Sequence, residues 1–301
     1  MAMIELGVGV TGATVGVLVA EFSRARRGRL PVYGWVGLAI LAVAEVLMFR
    51  GVEPVATYFT PIAWTAYILI ADAAVVTIRG RSRLSSGLRQ FAGLAFLSIP
   101  LWLIFEVYNL RLKNWTYIGV PAGWAGALLG YAWSFATIWP AIFETADLVE
   151  AFGWFRKARP IELSRRAERI LIGTGAVMLL VPVVLPERMG AYLFGLVWLG
   201  FALLLDPVNR RKGWGSILGD FRQGRRGRLW SFLISGWVCG WLWEFWNYWA
   251  VGKWHYIFPM FQRWKVFEMP APGFLGFLPF AVECFTMYVF VAGMLKWSGE
   301  E

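Results

Sequence analysis

The feature that most constrains this chain is a succession of long apolar windows, with nearly all of its charge confined between them. Stretches of roughly 20 residues, enough to carry a helix across about 30 Å of hydrocarbon, fall at 4–21, 31–49, 54–78, 91–110, 128–152, 169–186, 190–207, 229–250 and 273–296. They predict about nine transmembrane helices. With 58% hydrophobic and 16% charged residues, the chain lacks the polar surface that a water-soluble domain needs. The expected fold class is an all-α, polytopic membrane protein. No basic region precedes the first window and a basic cluster follows it, so a retained helix is expected there rather than a cleaved leader.

Lysine and arginine in short loops stay on the cytoplasmic side. An outside N-terminus puts the clusters around 24–29, 79–89, 156–169 and 210–228, with Lys296, on the inner side. Only Arg50, Arg111, Lys113, Arg188, Lys253, Arg263 and Lys265 then remain outside. The expectation is therefore an integral protein of a bacterial inner (cytoplasmic) membrane, N-terminus outside and C-terminus cytoplasmic. The net charge of +10 resides in inner loops such as RARRGR and GRRGR. Orientation and anionic lipid headgroups account for it, and no nucleic-acid partner is implied.

The chain also repeats itself. Glu106 is followed three residues later by Asn109, then by WTY at 115–117 and by Pro140 and Glu144 in PAIFE. Glu244 is followed three residues later by Asn247, then by WHY at 254–256 and by Pro279 and Glu283 in PFAVE. Trp115 precedes Pro140 by 25 positions, as Trp254 precedes Pro279. Asp72 stands ten before Ser82, as Asp206 does before Ser216. Residues 1–29 then form an N-terminal helix and basic loop, 30–155 a first four-helix repeat and 156–301 a second. Equivalent helices cross in the same direction, so the repeats are expected to be parallel, about an axis along the membrane normal. Between WxY and the proline, both repeats are Gly-, Pro- and aromatic-rich, and irregular segments capping the outer side are expected there.

On a helix, positions i and i+3 share a face, so each Glu-x-x-Asn presents a carboxyl and an amide together. A charged side chain at the bilayer centre costs about 3 kcal/mol or more, which makes Glu106, Glu144, Glu244 and Glu283 functional candidates. Carboxyls tying helices together are the plainer reading. Asp72 and Asp206, at span ends, are expected to cap loops or pair with arginine. Glu268 has no counterpart in the first repeat. Trp237, Trp241, Glu244 and Tyr248 follow helical spacing, with Asn247 beside them. Such a stripe serves either packing or a cavity in which ring faces stabilise positive charge. Cys239 and Cys284 lie inside spans and are expected to pack, not to bridge. With one histidine, His255, and no His/Cys cluster or Glu-x-x-His, no metal and no cofactor is expected.

At Asn109, Trp115, Tyr117, Pro140 and Glu144, and again at Asn247, Trp254, Tyr256, Pro279 and Glu283, the chain resembles the integral-membrane carotenoid (lycopene) cyclases and their hydratase relatives. Those proteins have duplicated units and protonate a polyene through carboxyl groups. They place adjacent acids just after the proline, whereas a lone glutamate stands four residues on here. The resemblance implies acid-initiated cyclisation, hydration or isomerisation of an isoprenoid or carotenoid-like lipid. Glu244 and Glu283 would be acid and base, Asn247 would orient Glu244, and Trp241, Trp246 and Tyr256 would line the cation. Glu106, Glu144 and Asn109 would be the first repeat's counterparts, and Trp115, Tyr117, Trp254 and Glu268 would contribute to substrate binding. Two other readings stand beside it: a proton-linked transporter or lipid-handling protein, and a structural subunit of a membrane or pigment complex.

Overall fold

The computed structural model describes residues 2–297. In chain order it comprises α1 (Ala2–Ala25), α2 (Val32–Phe49), α3 (Phe59–Arg79), α4 (Arg83–Ser86), α5 (Leu88–Leu112), β1 (Trp115–Ile118), α6 (Trp124–Ala151), α7 (Arg165–Val184), α8 (Glu187–Gly190), α9 (Phe194–Arg211), α10 (Ile217–Arg222), α11 (Gly227–Trp249), β2 (Lys253–Tyr256), β3 (Lys265–Val266), β4 (Met269–Pro270) and α12 (Phe277–Met294). The protein is thus a mostly helical, polytopic membrane protein. Among the described residues, eight helices are long and apolar enough to cross a membrane. The remaining expected span, 229–250, corresponds to α11, whose 23 residues have the length. Its indoles, Glu244 and Asn247 hold it below the apolarity of the others.

The core lies where α6, α11 and α12 meet, with α3 and α5 packed on α6 and α9 on α12. Contacts there are close because small residues allow them. A Cβ on Gly236 would stand 2.1 Å from the carbonyl oxygen of Phe277, and one on Gly240 would stand 2.4 Å from the Phe277 ring. Trp139, fully buried, donates its indole N–H to the Cys284 carbonyl at 2.8 Å. Ser235 donates to the Ile142 carbonyl at 2.6 Å. The free cysteines Cys239 and Cys284 are both buried packing groups. Leu6, Val17, Val32, Val43, Leu180 and Val184 point outward, as side chains facing acyl chains do.

Proline sets the shape of α6. Pro140 has no N–H to give to the preceding turn, and the Ser98 hydroxyl inserts at that point: it donates to the Phe135 carbonyl and accepts from Trp139 N–H. Asp72 accepts from Leu84 N–H at 2.9 Å and Ser82 Oγ at 2.8 Å, and Asp206 accepts from Ile217 and Leu218 N–H at 2.7 and 2.9 Å. The two aspartates thus hold the starts of the short helices α4 and α10, satisfying N–H groups that a helix start leaves open.

Short strands accompany the helices of this all-α plan: β1 and β2 pair antiparallel, and β3 and β4 form a two-residue ladder. One expectation is corrected. The first segment expected to be irregular is helical from Trp124 onward, having no proline between 124 and 139 to interrupt it. The second, with Pro259, Pro270 and Pro272, does stay irregular: short strands and a 3-10 turn, Ala271–Gly276, lead into α12.

Candidate functional site: an aromatic cavity backed by two carboxyls

Each WxY triplet is a short strand locked to the end of its helix by the asparagine one turn beyond the glutamate. Asn109 donates through Nδ2 to the Trp115 carbonyl at 2.9 Å and accepts at Oδ1 from the N–H groups of Asn114 and Trp115 at 2.8 and 3.1 Å. Asn247 donates to the Trp254 carbonyl at 2.9 Å and accepts from its N–H at 3.0 Å. Neither asparagine has a bond to its glutamate among these; they position the strands, which correct the expected role of Asn247 beside Glu244.

The strands then pair with each other, Trp115 opposite Tyr256, Thr116 opposite His255 and Tyr117 opposite Trp254. Gly119, at φ +66, and Gly252 allow the adjoining turns to close tightly, since a Cβ on Gly119 would lie 2.0 Å from the Val251 carbonyl. Because side chains alternate along a strand, the Trp and Tyr of each triplet fall on one side, toward the helices. There they reach the carboxyls. Glu106 Oε1 accepts from Trp102 Nε1 at 2.8 Å, Trp115 Nε1 at 3.3 Å and the Tyr117 hydroxyl at 2.5 Å. Glu244 Oε1 accepts from Trp254 Nε1 at 3.4 Å and the Tyr256 hydroxyl at 3.0 Å. Glu244 is fully buried, and its Oε2 has no partner among the described residues. Burial first, then the neighbouring carboxyl, raises both Tyr117 and Tyr256 well above the ordinary tyrosine range, so both hydroxyls stay protonated.

All five donors form part of the wall of a cavity of about 100 Å³. Trp115, Tyr117, Trp254 and Tyr256 line it together with Trp64 and Tyr131, and with Trp102 and Trp243, which pack on each other at 5.7 Å between ring centroids. Phe135, Phe277 and Phe280 add apolar surface, and Lys253, Thr60 and Ser134 are among the few polar neighbours. The two carboxyls sit behind this wall, one hydrogen bond away. Such a cavity takes an apolar group, or a cation that ring faces can hold.

The other expected residues lie elsewhere. Glu283 Oε1 accepts from Phe201 N–H in α9 at 2.8 Å, away from the cavity wall. Glu144 is fully buried, neither of its oxygens has a hydrogen-bond partner within 3.5 Å among the described residues, and its electrostatic neighbours are Asp72, Asp147 and Arg83. The four glutamates do not share one chamber: Glu106 and Glu244 are joined through the strands, and Glu144 and Glu283 stand apart on α6 and α12. Trp241 stacks on Phe274 at 3.9 Å, and Trp246 packs on Trp64 at 5.0 Å while donating to Glu45 at 3.3 Å. Neither lines the cavity, because Trp243 takes that face of α11, continuing the Gly236 and Gly240 stripe. Glu268 binds Lys253 Nζ at 3.2 Å and His255 Nδ1 at 2.7 Å. It bears on the cavity only through Lys253.

Trp102, Trp243 and Tyr131 are cavity residues that sequence reasoning misses. The available signal was the Gly-x-x-x-Gly-x-x-Trp spacing at 236–243, which puts the tryptophan on the face that approaches α12. Among the described residues no group of three His, Cys, Asp or Glu is placed to hold a metal ion. Compared with protein-family models, with curated proteins and with solved structures, the chain matches none.

Proposed function

We propose that the chain is a membrane enzyme performing proton-initiated chemistry, such as cyclisation, hydration or isomerisation, on an isoprenoid or carotenoid-like lipid. In this reading it has nine spans with the N-terminus outside: one helix, then two parallel four-helix repeats meeting at the β1–β2 pair. Thr116 and His255, paired at the centre of that ladder, would lie on the axis between repeats. The observation that carries the function is the aromatic cavity whose Tyr and Trp donors are anchored on two carboxyls, Glu106 half-buried and Glu244 fully buried. Apolar cavities of about 150 Å³ hold a benzene-sized molecule, so this one suits the end of a hydrocarbon chain.

The acid and base are Glu244 and Glu106, in place of Glu244 and Glu283. Glu244 has only two donors and one oxygen without a partner, which suits a protonated carboxyl. Glu106 has three donors on one oxygen, which suits the carboxylate. Environments that differ in this way assign the two roles. Since Tyr256 stands at the wall and Glu244 behind it, a Glu244 protonated on Oε1 donates to the Tyr256 oxygen and turns the hydroxyl toward the cavity; the hydroxyl proton then passes to an alkene carbon as the Glu244 proton moves to the Tyr256 oxygen. Glu244 is left as a carboxylate. The cation is held by ring faces, and it is quenched when Tyr117 takes a proton from an adjacent carbon while passing its own to Glu106. The net result is a shifted or cyclised alkene with both protons accounted for. The test is mass spectrometry of lipids extracted with the purified protein, followed by turnover of the lipid found. Glu244→Gln should keep the melting temperature and abolish conversion; unchanged conversion would refute the assignment.

One observation favours proton-linked transport as the second reading. Ala141 and Ile142 line the aromatic cavity, whereas Phe143, Ala146 and Asp147 line a wide cleft at the opposite, arginine-rich end. Glu144, whose oxygens have no hydrogen-bond partner within 3.5 Å among the described residues, lies within that single stretch of α6. Uptake into proteoliposomes that follows an imposed pH gradient and stops in Glu144→Gln would support transport over catalysis.

A further inference from the structure

The end of the bundle opposite the strands holds a cleft of about 1150 Å³, larger than the usual small-molecule pocket. Among the described residues its wall carries Arg27, Arg79, Arg81, Arg83 and Arg228 against two carboxylates, Asp147 and Glu150. Arg83 is committed to Asp147 through bonds of 2.7 and 3.2 Å, Arg79 lies 3.9 Å from Glu150, and Arg228 lies 3.1 Å from Asp220. Arg27 and Arg81, both exposed, have no carboxylate partner among the described residues.

A generally basic surface does not explain this. At the same end Arg210 and Arg211 pair with Glu168 at 2.5 and 3.0 Å and Arg222 pairs with Glu162 at 3.3 Å, while cations without a carboxylate partner among the described residues, such as Arg156, Lys157 and Arg165, are not part of this cleft. Surplus positive charge is left at a concave site. The lining of that site is aromatic: Phe91, Trp214 and Tyr288 are half-buried and Trp297 is exposed, beside the buried rings of Phe143 and Phe285, which the Arg83 and Arg228 guanidinium groups cover at 5.0 and 4.9 Å. Guanidinium groups match phosphate oxygens in a bidentate way, and an aromatic lining accepts the carbons next to them. A free anion would use the first feature and leave the second unused.

We infer that this cleft binds an anionic, phosphate-bearing membrane lipid, its headgroup on Arg27 and Arg81 and its first chain carbons on Phe91, Trp214 and Trp297. The inference is independent of the chemistry at the aromatic cavity. Native mass spectrometry of the full chain in detergent, titrated with dioctanoyl phosphatidate, tests it. The double variant Arg27→Gln/Arg81→Gln should bind at least tenfold more weakly than the wild type, and wild-type binding should weaken as salt rises. Arg156→Gln/Lys157→Gln, which removes two exposed cations of another loop at no cleft position, should bind like the wild type. Equal losses in both double variants would reduce the effect to general surface charge and overturn the inference. So would unchanged binding in Arg27→Gln/Arg81→Gln, equal affinity for dioctanoyl phosphatidylcholine, or full displacement by an equal concentration of inorganic phosphate.

Discussion

The two glutamate clusters are built on one plan and differ at one helical turn. Four residues before Glu106 stands Trp102, whose indole donates to it; four residues before Glu244 stands Gly240, whose space is taken by the Phe277 ring. The first carboxyl is half-buried with three donors, and the second is fully buried with two and a bare oxygen. The same glycine stripe that lets α12 close on α11 thus removes a donor from Glu244. Close helix packing and an under-satisfied carboxyl are two consequences of one choice, and buried polar groups left in that condition call for an explanation in function.

The largest expected effect separates the clusters directly. Positioned acid–base groups contribute about 10²–10⁴-fold, so Glu244→Gln should lower turnover of the copurifying lipid by at least about 100-fold. Trp102→Phe only takes one donor from Glu106 and should cost less than about tenfold. Equal losses in the two variants would mean that the difference in donors does not divide the roles.

Next comes the packing that creates the difference. In the first half the turn before Trp102 carries Ser98, which fits its hydroxyl into the Pro140 kink; in the second it carries Gly236, pressed on the Phe277 carbonyl. Gly236→Ala should destabilise by about 1–3 kcal/mol, because a backbone atom at 2.1 Å cannot rotate away. Ser98→Ala should cost about 1–3 kcal/mol by leaving buried groups unpaired. Thermal melts in one detergent would compare them, and a neutral Gly236→Ala would show that α11 and α12 can separate freely.

A smaller effect is expected at the asparagines. Asn109→Ala removes three hydrogen bonds to the chain that follows and Asn247→Ala removes two. At about 1 kcal/mol per bond, Asn109→Ala should be the more destabilising by about 1 kcal/mol. Both should also loosen the strand pair, seen as faster amide exchange at Thr116 and His255.

Much of this plan was legible because it is local. Apolar windows mark spans whatever their neighbours do, and Glu-x-x-Asn followed by WxY is a pattern read within a dozen residues. The helix-capping role of Asp72 and Asp206 follows from serines ten positions on. What was not legible depends on distance along the chain. The pairing of 115–118 with 253–256 joins strands too short to show alternation, from segments that only the fold brings together. The separation of Glu144 and Glu283 from the other two glutamates depends on how far apart α6 and α12 set their faces, and Trp243 displaces Trp241 from the cavity because the glycine stripe decides which side of α11 meets α12. Indole, counted as apolar in one argument and polar in another, also leaves α11 ambiguous as a span.

The smallest effect concerns a residue with no equivalent across the repeat. Lys265 donates to the Tyr256 carbonyl at 2.9 Å, while Gly126 stands at the corresponding place in the first half. Burial lowers the Lys265 amine below the ordinary lysine value, against the opposing pull of Glu268 and Glu244. The unfolded chain therefore binds the proton more readily than the folded one between the lowered and the ordinary value. Stability should rise with pH across that alkaline window, and below it the full cost of the charged amine is present. The group is partly exposed, so solvent screening keeps the change under about 1 kcal/mol. Melting temperatures of the wild type and Lys265→Met, followed from neutral to alkaline pH, should converge as pH rises, with Lys265→Met showing the flatter curve. Parallel curves would mean that Lys265 is as well solvated folded as unfolded, and that the strand it braces is as open to water as its partner from the first half.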